Sequence, residues 1–357
     1  MLRIARTTHA TLSTLRLAYT NARQMSTQTQ QIKAVLQPDP ASTKLTLTTL
    51  PYPTPSASEY IVKVKAAALT KDELGWELAD PHLYTSPRDR VPSIEGAGVV
   101  VSAPRGAPCE VGTDVFYTIH AGATGTLREF ATVDINAAAP KPATLDWASA
   151  AATPLSALTA WQGVFVHGPL DAAALTASGP ERAAAKEKNA ALSVLVTGAG
   201  GGVGSWAVKL AHAAGATVVG VARESKAADV RRFGAADVID YAGVDAYAAD
   251  ETKLVDLVLD TIGGDGMKTL WSAVKDSGLF LAVGPDPPEN KPEGKRAEGK
   301  WYLFESSAEQ LAHVARIIDS EGLGPLVDEV FPLDRFNEAF EKVASGRTKG
   351  KVVVTVE

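Results

Sequence analysis

Cysteine is almost missing from this chain: Cys109 is the single one in 357 residues. That excludes an intrachain disulfide framework and a zinc site built from several thiolates, and leaves Cys109 as a small packing residue. Long apolar runs are missing too, and none approaches the ~18 residues that a membrane-crossing helix needs. The formal charge is −6, from 41 acidic and 35 basic residues. No cluster of basic and aromatic residues opposes it, so nucleic acid is excluded as a partner. What is present, 45% apolar residues over a chain of this length, suffices for two domains with separate cores.

The first 30 residues contain no acid. The first carboxylate is Asp39, the only charges before it are Arg3, Arg6, Arg16, Arg23 and Lys33, and nine of the 30 are Ser or Thr. That is the composition of a transit peptide, and Leu12, Leu15 and Tyr19 can share one face of an import helix. Cleavage is expected near Met25. Initiation at Met25 would give a cytoplasmic form without the address. Loss of residues 1–25 removes four arginines, so the formal charge falls from −6 to −10.

The stretch from Ser193 to Gly204, SVLVTGAGGGVG, organises the rest. Val194, Leu195 and Val196 form a buried strand that runs into a glycine turn and then a helix. Val203, Ala207, Leu210, Ala211 and Ala214 recur at helical spacing, and Gly215 ends the helix. Gly201, Gly202 and Gly204 let the backbone approach a pyrophosphate, and the free N–H groups of the helix start face it. Ala199 and Val203 belong to the same turn. A second apolar strand runs from Thr217 to Ala222, close to the ~20-residue offset of the ribose-reading residue. An acid there would select NAD. The chain instead has Ala222, then Arg223, with Ser225 and Lys226 in the next turn, so despite Glu224 the 2′-phosphate of NADP meets attraction. The expected cofactor is NADPH.

Upstream, IKAVLQ, TLTTL, YIVKVKAAAL, GAGVVVSA, DVFYTI and REFATV read as short strands of a mostly β domain. Trp147–Trp161 reads as helix broken at Pro154, and 168–190 as a surface excursion without strand character. Downstream the pattern alternates: helix 225–233, strand 237–241, strand 253–260, helix 266–275 and strand 278–283, which means a parallel sheet. Residues 285–300 hold four prolines, four basic and four acidic residues and read as a mobile loop. Helices at 307–319 and 333–345 follow. A last strand, 351–356, is expected to rejoin the first domain's sheet.

Together IEGAGVV, GTLREFATV, TPLSALTAW, VLVTGAGGGVG, FGAADVIDY, DLVLDTIGG and PLDRFNEAFEKVASGRTKGKVVVTV, in that order, resemble the medium-chain dehydrogenase/reductase superfamily, specifically its zinc-independent quinone oxidoreductase (zeta-crystallin-like) branch. The resemblance covers about residues 32–357. It implies an α/β fold: a Rossmann doubly wound parallel sheet domain plus a GroES-like, mostly β catalytic domain built from both chain ends. The divisions would be 1–30 leader, 31–155 catalytic, 156–300 NADP-binding and 301–357 completing the catalytic domain. The leader resembles those of mitochondrial relatives, which points to the matrix. Relatives often form homodimers joined edge to edge through the nucleotide-domain sheets, on which the sequence itself is silent.

The resemblance implies that Lys226 and Tyr241 grip the 2′-phosphate and that Thr261, Gly263, Val283 and Gly284 lie on loops passing the nicotinamide side. Zinc-bearing relatives carry Cys and Gly-His-Glu as ligands, where this chain has Thr70-Lys71-Asp72 and Ser93-Ile94-Glu95, so no metal is expected. The expected reaction is hydride transfer to a small acceptor already polarised by conjugation, a quinone or an α,β-unsaturated carbonyl. Thr70, Lys71 and Tyr84 are the candidate donors to the developing oxyanion. The alternatives are an enoyl-thioester reductase and a non-catalytic NADPH-binding sensor or partner protein. For the thioester reading, Lys291, Lys295, Arg296 and Lys300 would form the entry rim, against which their four acidic neighbours count.

Overall fold

The computed structural model describes residues 30–264, 268–284 and 291–356; the expected leader lies outside them. A short hairpin, β1 (Gln31–Leu36) and β2 (Thr46–Pro51), precedes the longest strand, β3 (Glu59–Leu69). β4 (Glu95–Ser102), β5 (Asp114–Thr118), β6 (Phe130–Asp134) and β7 (Ala138–Pro140) follow. The register of β3 against β4 shifts between Val64 and Ala66, a bulge that reverses which parity faces which side. Val62 and Val64 before it, and Ala67 and Leu69 after it, therefore all enter one core. Ala66 and Ala68 turn to the other face, where they meet Ala150 and Ala151 of the helix Trp147–Ala151. Alanine on both partners lets that helix lie close on the sheet. Asp146 caps it by accepting from the Ser149 amide at 2.7 Å. A second helix, Pro154–Trp161, begins with proline, whose missing N–H costs nothing at a first turn.

Beyond the helix Gly179–Ala190, the chain lays down β8 (Ser193–Thr197), β9 (Thr217–Val221), β10 (Asp237–Ile239), β11 (Val255–Asp260), β12 (Val274–Ala282) and β13 (Glu298–Trp301). They form one sheet in the order β10-β9-β8-β11-β12-β13, every neighbouring pair parallel. This is the doubly wound dinucleotide-binding order, with its crevice where the order reverses between β8 and β11. Val194 and Val196 face a core with Trp206 and Leu210. Leu195 between them faces the opposite core, with Val258, Trp271 and Phe280. A sheet covered on both faces explains the unbroken apolar run of β8.

The chain then returns. The helix Ala308–Glu321, β14 (Val327–Pro332), the helix Phe336–Ala344 and β15 (Lys351–Thr355) complete the first sheet. Its order is β14-β15-β3-β4-β5-β7, with β6 on β3. β15 pairs antiparallel with β3, Val352 opposite Leu69, so both chain ends build one sheet.

Three expectations need correction. The helix expected over 266–275 is only Leu270–Ala273: Lys268 and Thr269 form a turn, and Val274 already pairs in β12; residues 266–267 lie outside the described residues. Part of the expected 285–300 loop is strand: β13 pairs with β12, and its four exposed residues show why an edge strand carries no apolar alternation to read. Residues 285–290 lie outside the description. β14, a sheet edge with three of its six residues exposed and only Phe331 buried, was missed for the same reason.

Candidate active site

The glycine turn is where sequence and geometry meet most directly. β8 ends at Thr197, Gly198 takes φ +58, and Gly201 is extended (φ −98, ψ −174) at the start of the helix Gly202–Ala213. A Cβ on Gly204 would lie 2.2 Å from the Gly198 carbonyl oxygen, so the turn is folded tightly back on itself. A Cβ on Gly201 would meet only that same oxygen, at 3.1 Å. The turn therefore opens, with the free helix amides, onto a cleft of about 460 Å³.

That cleft brings together Gly201, Gly202, Val203 and Gly204 with Arg223, Lys226, Tyr241 and Thr261 of the nucleotide-binding sheet, and with Thr70 and Lys71 of the other sheet. Five residues expected to bind the cofactor do not line it. Ala199 is buried beneath the turn, and Ser225 is exposed on its helix. Gly263 stands at φ +72 with its amide 3.2 Å from Asp260. The Val283 amide donates to the Asp260 carbonyl at 3.1 Å, and Gly284 has open space around it. Tyr84 is not brought to Thr70 and Lys71 either. It lines a separate cavity of about 30 Å³ with Glu73 and Arg88, whose guanidinium lies 4.8 Å over its ring. Burial pushes its phenol up to about 12.

Asp260 holds the loop after β11. It is 1% exposed and accepts from the Thr197 hydroxyl at 2.6 Å and from the Ile262 and Gly263 amides. Thr261 in turn donates its hydroxyl to the Thr197 carbonyl at 2.8 Å. Lys226 crosses the turn and donates to the carbonyls of Gly200 (3.2 Å) and Thr348 (2.8 Å), which leaves one of its three N–H groups. Burial and the nearby Arg223 lower its pKa. Arg223 is exposed and, among the described residues, joins no ion pair. Burial raises the Tyr241 phenol against the opposing pull of the Gly198 amide.

On the other wall lies a charged cluster that the sequence reading missed. Lys351, 7% exposed, places Nζ 2.8 Å from Glu95 Oε1 and 2.8 Å from Thr70 Oγ1. Glu95 is fully buried, and its other oxygen accepts from the Leu155 amide at 2.9 Å. Burial raises its carboxyl against the pull of Lys351. Glu73 accepts from the amides of Thr70 and Ser93, and burial, only partly offset by Lys351, pushes it up to about 7. Asp72 (φ 63) and Ser93 (φ 67) are the only non-glycine residues at positive φ among those described, and both border this cluster. Strain of that kind collects at functional sites. The one available signal was a lysine opening an otherwise apolar, buried strand.

The turn fits a dinucleotide: a cradle that a Cβ would fill, free helix amides and two cations. The other wall does not fit a zinc ion. Thr70 and Ile94 offer no thiolate or imidazole, and Cys109 is buried with its amide on the Tyr60 hydroxyl. Between Thr70 and Glu95 the cationic place is taken by the Lys351 ammonium. Among the described residues no three His, Cys, Asp or Glu group as metal ligands do.

The zinc-binding dehydrogenase family matches residues 233–354. A probable mitochondrial zinc-binding oxidoreductase of Arthroderma benhamiae is 36% identical over 91% of this chain and 96% of its own. The mitochondrial NAD(P)H oxidoreductase RTN4IP1 of Danio rerio is 29% identical over 84% of each chain. A 2-methylene-furan-3-one reductase of Solanum lycopersicum is 30% identical over 83% of this chain and 71% of its own. Among solved structures, an alcohol dehydrogenase superfamily protein from Novosphingobium aromaticivorans superposes with a TM-score of 0.76 at 27% identity, over 92% of this chain and all of that one.

Proposed function

The chain belongs to the medium-chain dehydrogenase/reductase superfamily of oxidoreductases, and from that premise we propose that it is an NADPH-dependent, metal-independent reductase of conjugated carbonyl compounds, quinones or α,β-unsaturated carbonyls. A nicotinamide dinucleotide is the family's redox partner, and when bound it supplies the hydride.

The observation that carries the reading is the cleft itself. The glycine turn, Arg223, Lys226 and Tyr241 stand on one side of it, and Thr70 and Lys71 face them from the other. NADPH is favoured over NADH because the end of β9 offers an unpaired guanidinium and an ammonium where a carboxylate would select the 2′-hydroxyl. Metal independence is supported by the donor set around Thr70 and Glu95. Without a Lewis acid, an acceptor must be activated by its own conjugation, and the cleft has to orient it, exclude water and hydrogen-bond the oxygen on which charge develops. The named activity of the tomato relative on a methylene-furanone agrees with such an acceptor. The division into domains at residues 155 and 300 belongs to this reading, as does mitochondrial residence, which rests on the arginine-rich leader and on relatives named mitochondrial.

The test is loss of reduced-nicotinamide absorbance with NADPH or NADH against an ortho-quinone, a para-quinone, an alkenal and an enoyl thioester. Turnover with NADPH that survives a chelator is expected. Equal use of NADH would refute the roles given to Arg223, Lys226 and Tyr241. Tight binding of NADPH without turnover of any acceptor would make the protein a nucleotide sensor.

A further inference from the structure

Lys351 is ion-paired with Glu95 and hydrogen-bonded to Thr70, and the direction of that hydrogen bond is fixed by chemistry. An ammonium has donors and no acceptor, so in the 2.8 Å contact between Lys351 Nζ and Thr70 Oγ1 the lysine donates and the hydroxyl accepts. The proton of Thr70 itself then has no acceptor among the described residues, and Thr70 lines the cleft. Glu95, fully buried, holds Lys351 in place at 2.8 Å and is itself fixed by the Leu155 amide. The stem of Lys351 also passes close to the glycine turn, since a Cβ on Gly202 would lie 3.3 Å from its Cδ. Lys351 and Thr70 thus line the same wall of the cleft, the ammonium donating to the hydroxyl beside it.

We propose that Lys351, anchored by Glu95, is a positioning residue that turns and polarises the Thr70 hydroxyl so that it donates to the oxygen of the conjugated acceptor. The inference rests on the reductase reading above and adds the residues that make a metal unnecessary. As hydride adds to the acceptor carbon, the π electron pair moves to oxygen, and the Thr70 O–H stabilises that negative charge. The proton that completes the reduction comes from solvent. A donor charged from behind is stronger than a free threonine hydroxyl, because each hydrogen bond in a chain polarises the next.

The experiment compares wild type, Thr70→Ser, Thr70→Val, Lys351→Met and the double variant Lys351→Met/Glu95→Gln. The double variant avoids leaving a buried carboxylate without its cation. NADPH affinity is read by fluorescence titration, folding by thermal melting, and kcat over enones of graded electrophilicity. Loss of one oxyanion donor lowers kcat by about 10²-fold, so that loss is expected in Thr70→Val and in the double variant, with Thr70→Ser close to wild type. In Thr70→Val the NADPH affinity should stay unchanged. The deficit should be largest for the least activated enone, a dependence that a purely structural role would not produce. A folded double variant or Thr70→Val with wild-type kcat on that enone overturns the proposal. Wild-type protein that binds NADPH but reduces none of the acceptors would overturn the reductase reading first, and this inference with it.

Discussion

Replacing Gly204 and Gly201 by alanine, one at a time, separates the fold of the turn from its use. In Gly204→Ala the new methyl would lie 2.2 Å from the Gly198 carbonyl oxygen and 2.6 Å from its carbon, both backbone atoms that cannot rotate away. Ordinary carbon–oxygen contact is more than 1 Å longer, so the turn must move. Overpacking of this kind costs about 1–3 kcal/mol, and at about 2–4 °C per kcal/mol for a domain of 150–250 residues the melting temperature should fall by roughly 2–12 °C. In Gly201→Ala the methyl meets a single atom at 3.1 Å, and the backbone there is extended, a conformation open to any residue. Stability should fall by about 1 kcal/mol or less, from one tight contact and a poorer N-cap, well short of the change in Gly204→Ala. The same methyl nevertheless projects into the cleft, where a phosphate would have to approach the backbone. Thermal melting and NADPH fluorescence titration on both variants decide the matter. The expected pattern is a destabilised Gly204→Ala and a stable Gly201→Ala that binds NADPH at least tenfold more weakly, about 1.4 kcal/mol. A Gly201→Ala protein with wild-type affinity would refute the placement of the pyrophosphate.

Arg223→Ser and Lys226→Ala should each lower the NADPH-to-NADH ratio of kcat/KM by about tenfold, since a hydrogen bond to a charged partner contributes about 1.5–3 kcal/mol; an unchanged ratio in both would remove them from cofactor choice. Glu73 titrates near 4.5 when unfolded and is raised to about 7 in the fold. The folded state therefore keeps a proton that the unfolded chain releases, and stability should fall as pH rises from about 4.5 to 7, by at most ~3 kcal/mol. Urea midpoints of wild type and Glu73→Gln at pH 5 and 8 test this, because the amide cannot titrate and its slope should be flatter; equal slopes refute it. Lys351→Met should destabilise by about 3–5 kcal/mol, and pairing it with Glu95→Gln should restore part of that loss, because the cost lies mostly in the stranded buried charge. A double variant no more stable than Lys351→Met would show that the two residues do not depend on each other.

The sequence by itself determined the elements whose causes are local. SVLVTGAGGGVG specified a buried strand, a turn and a helix, because unbroken apolar residues suit a strand covered on both faces and glycine alone tolerates the approach at Gly204. The absence of an acid after β9 pointed to a phosphate-bearing cofactor for the same local reason. Two edge strands, β13 and β14, were not legible: each is held by a neighbour on one side only, and neither shows the apolar pattern by which the edge strand β10 was read. Only the tertiary structure could decide the other wall of the cleft. It brings Lys351 from the end of the chain beside Thr70 and Glu95, 281 residues away from the former, and it carries Tyr84 off into a cavity of its own. A hydrogen bond across that separation has no signature in spacing or periodicity, because it exists only once β15 has paired with β3.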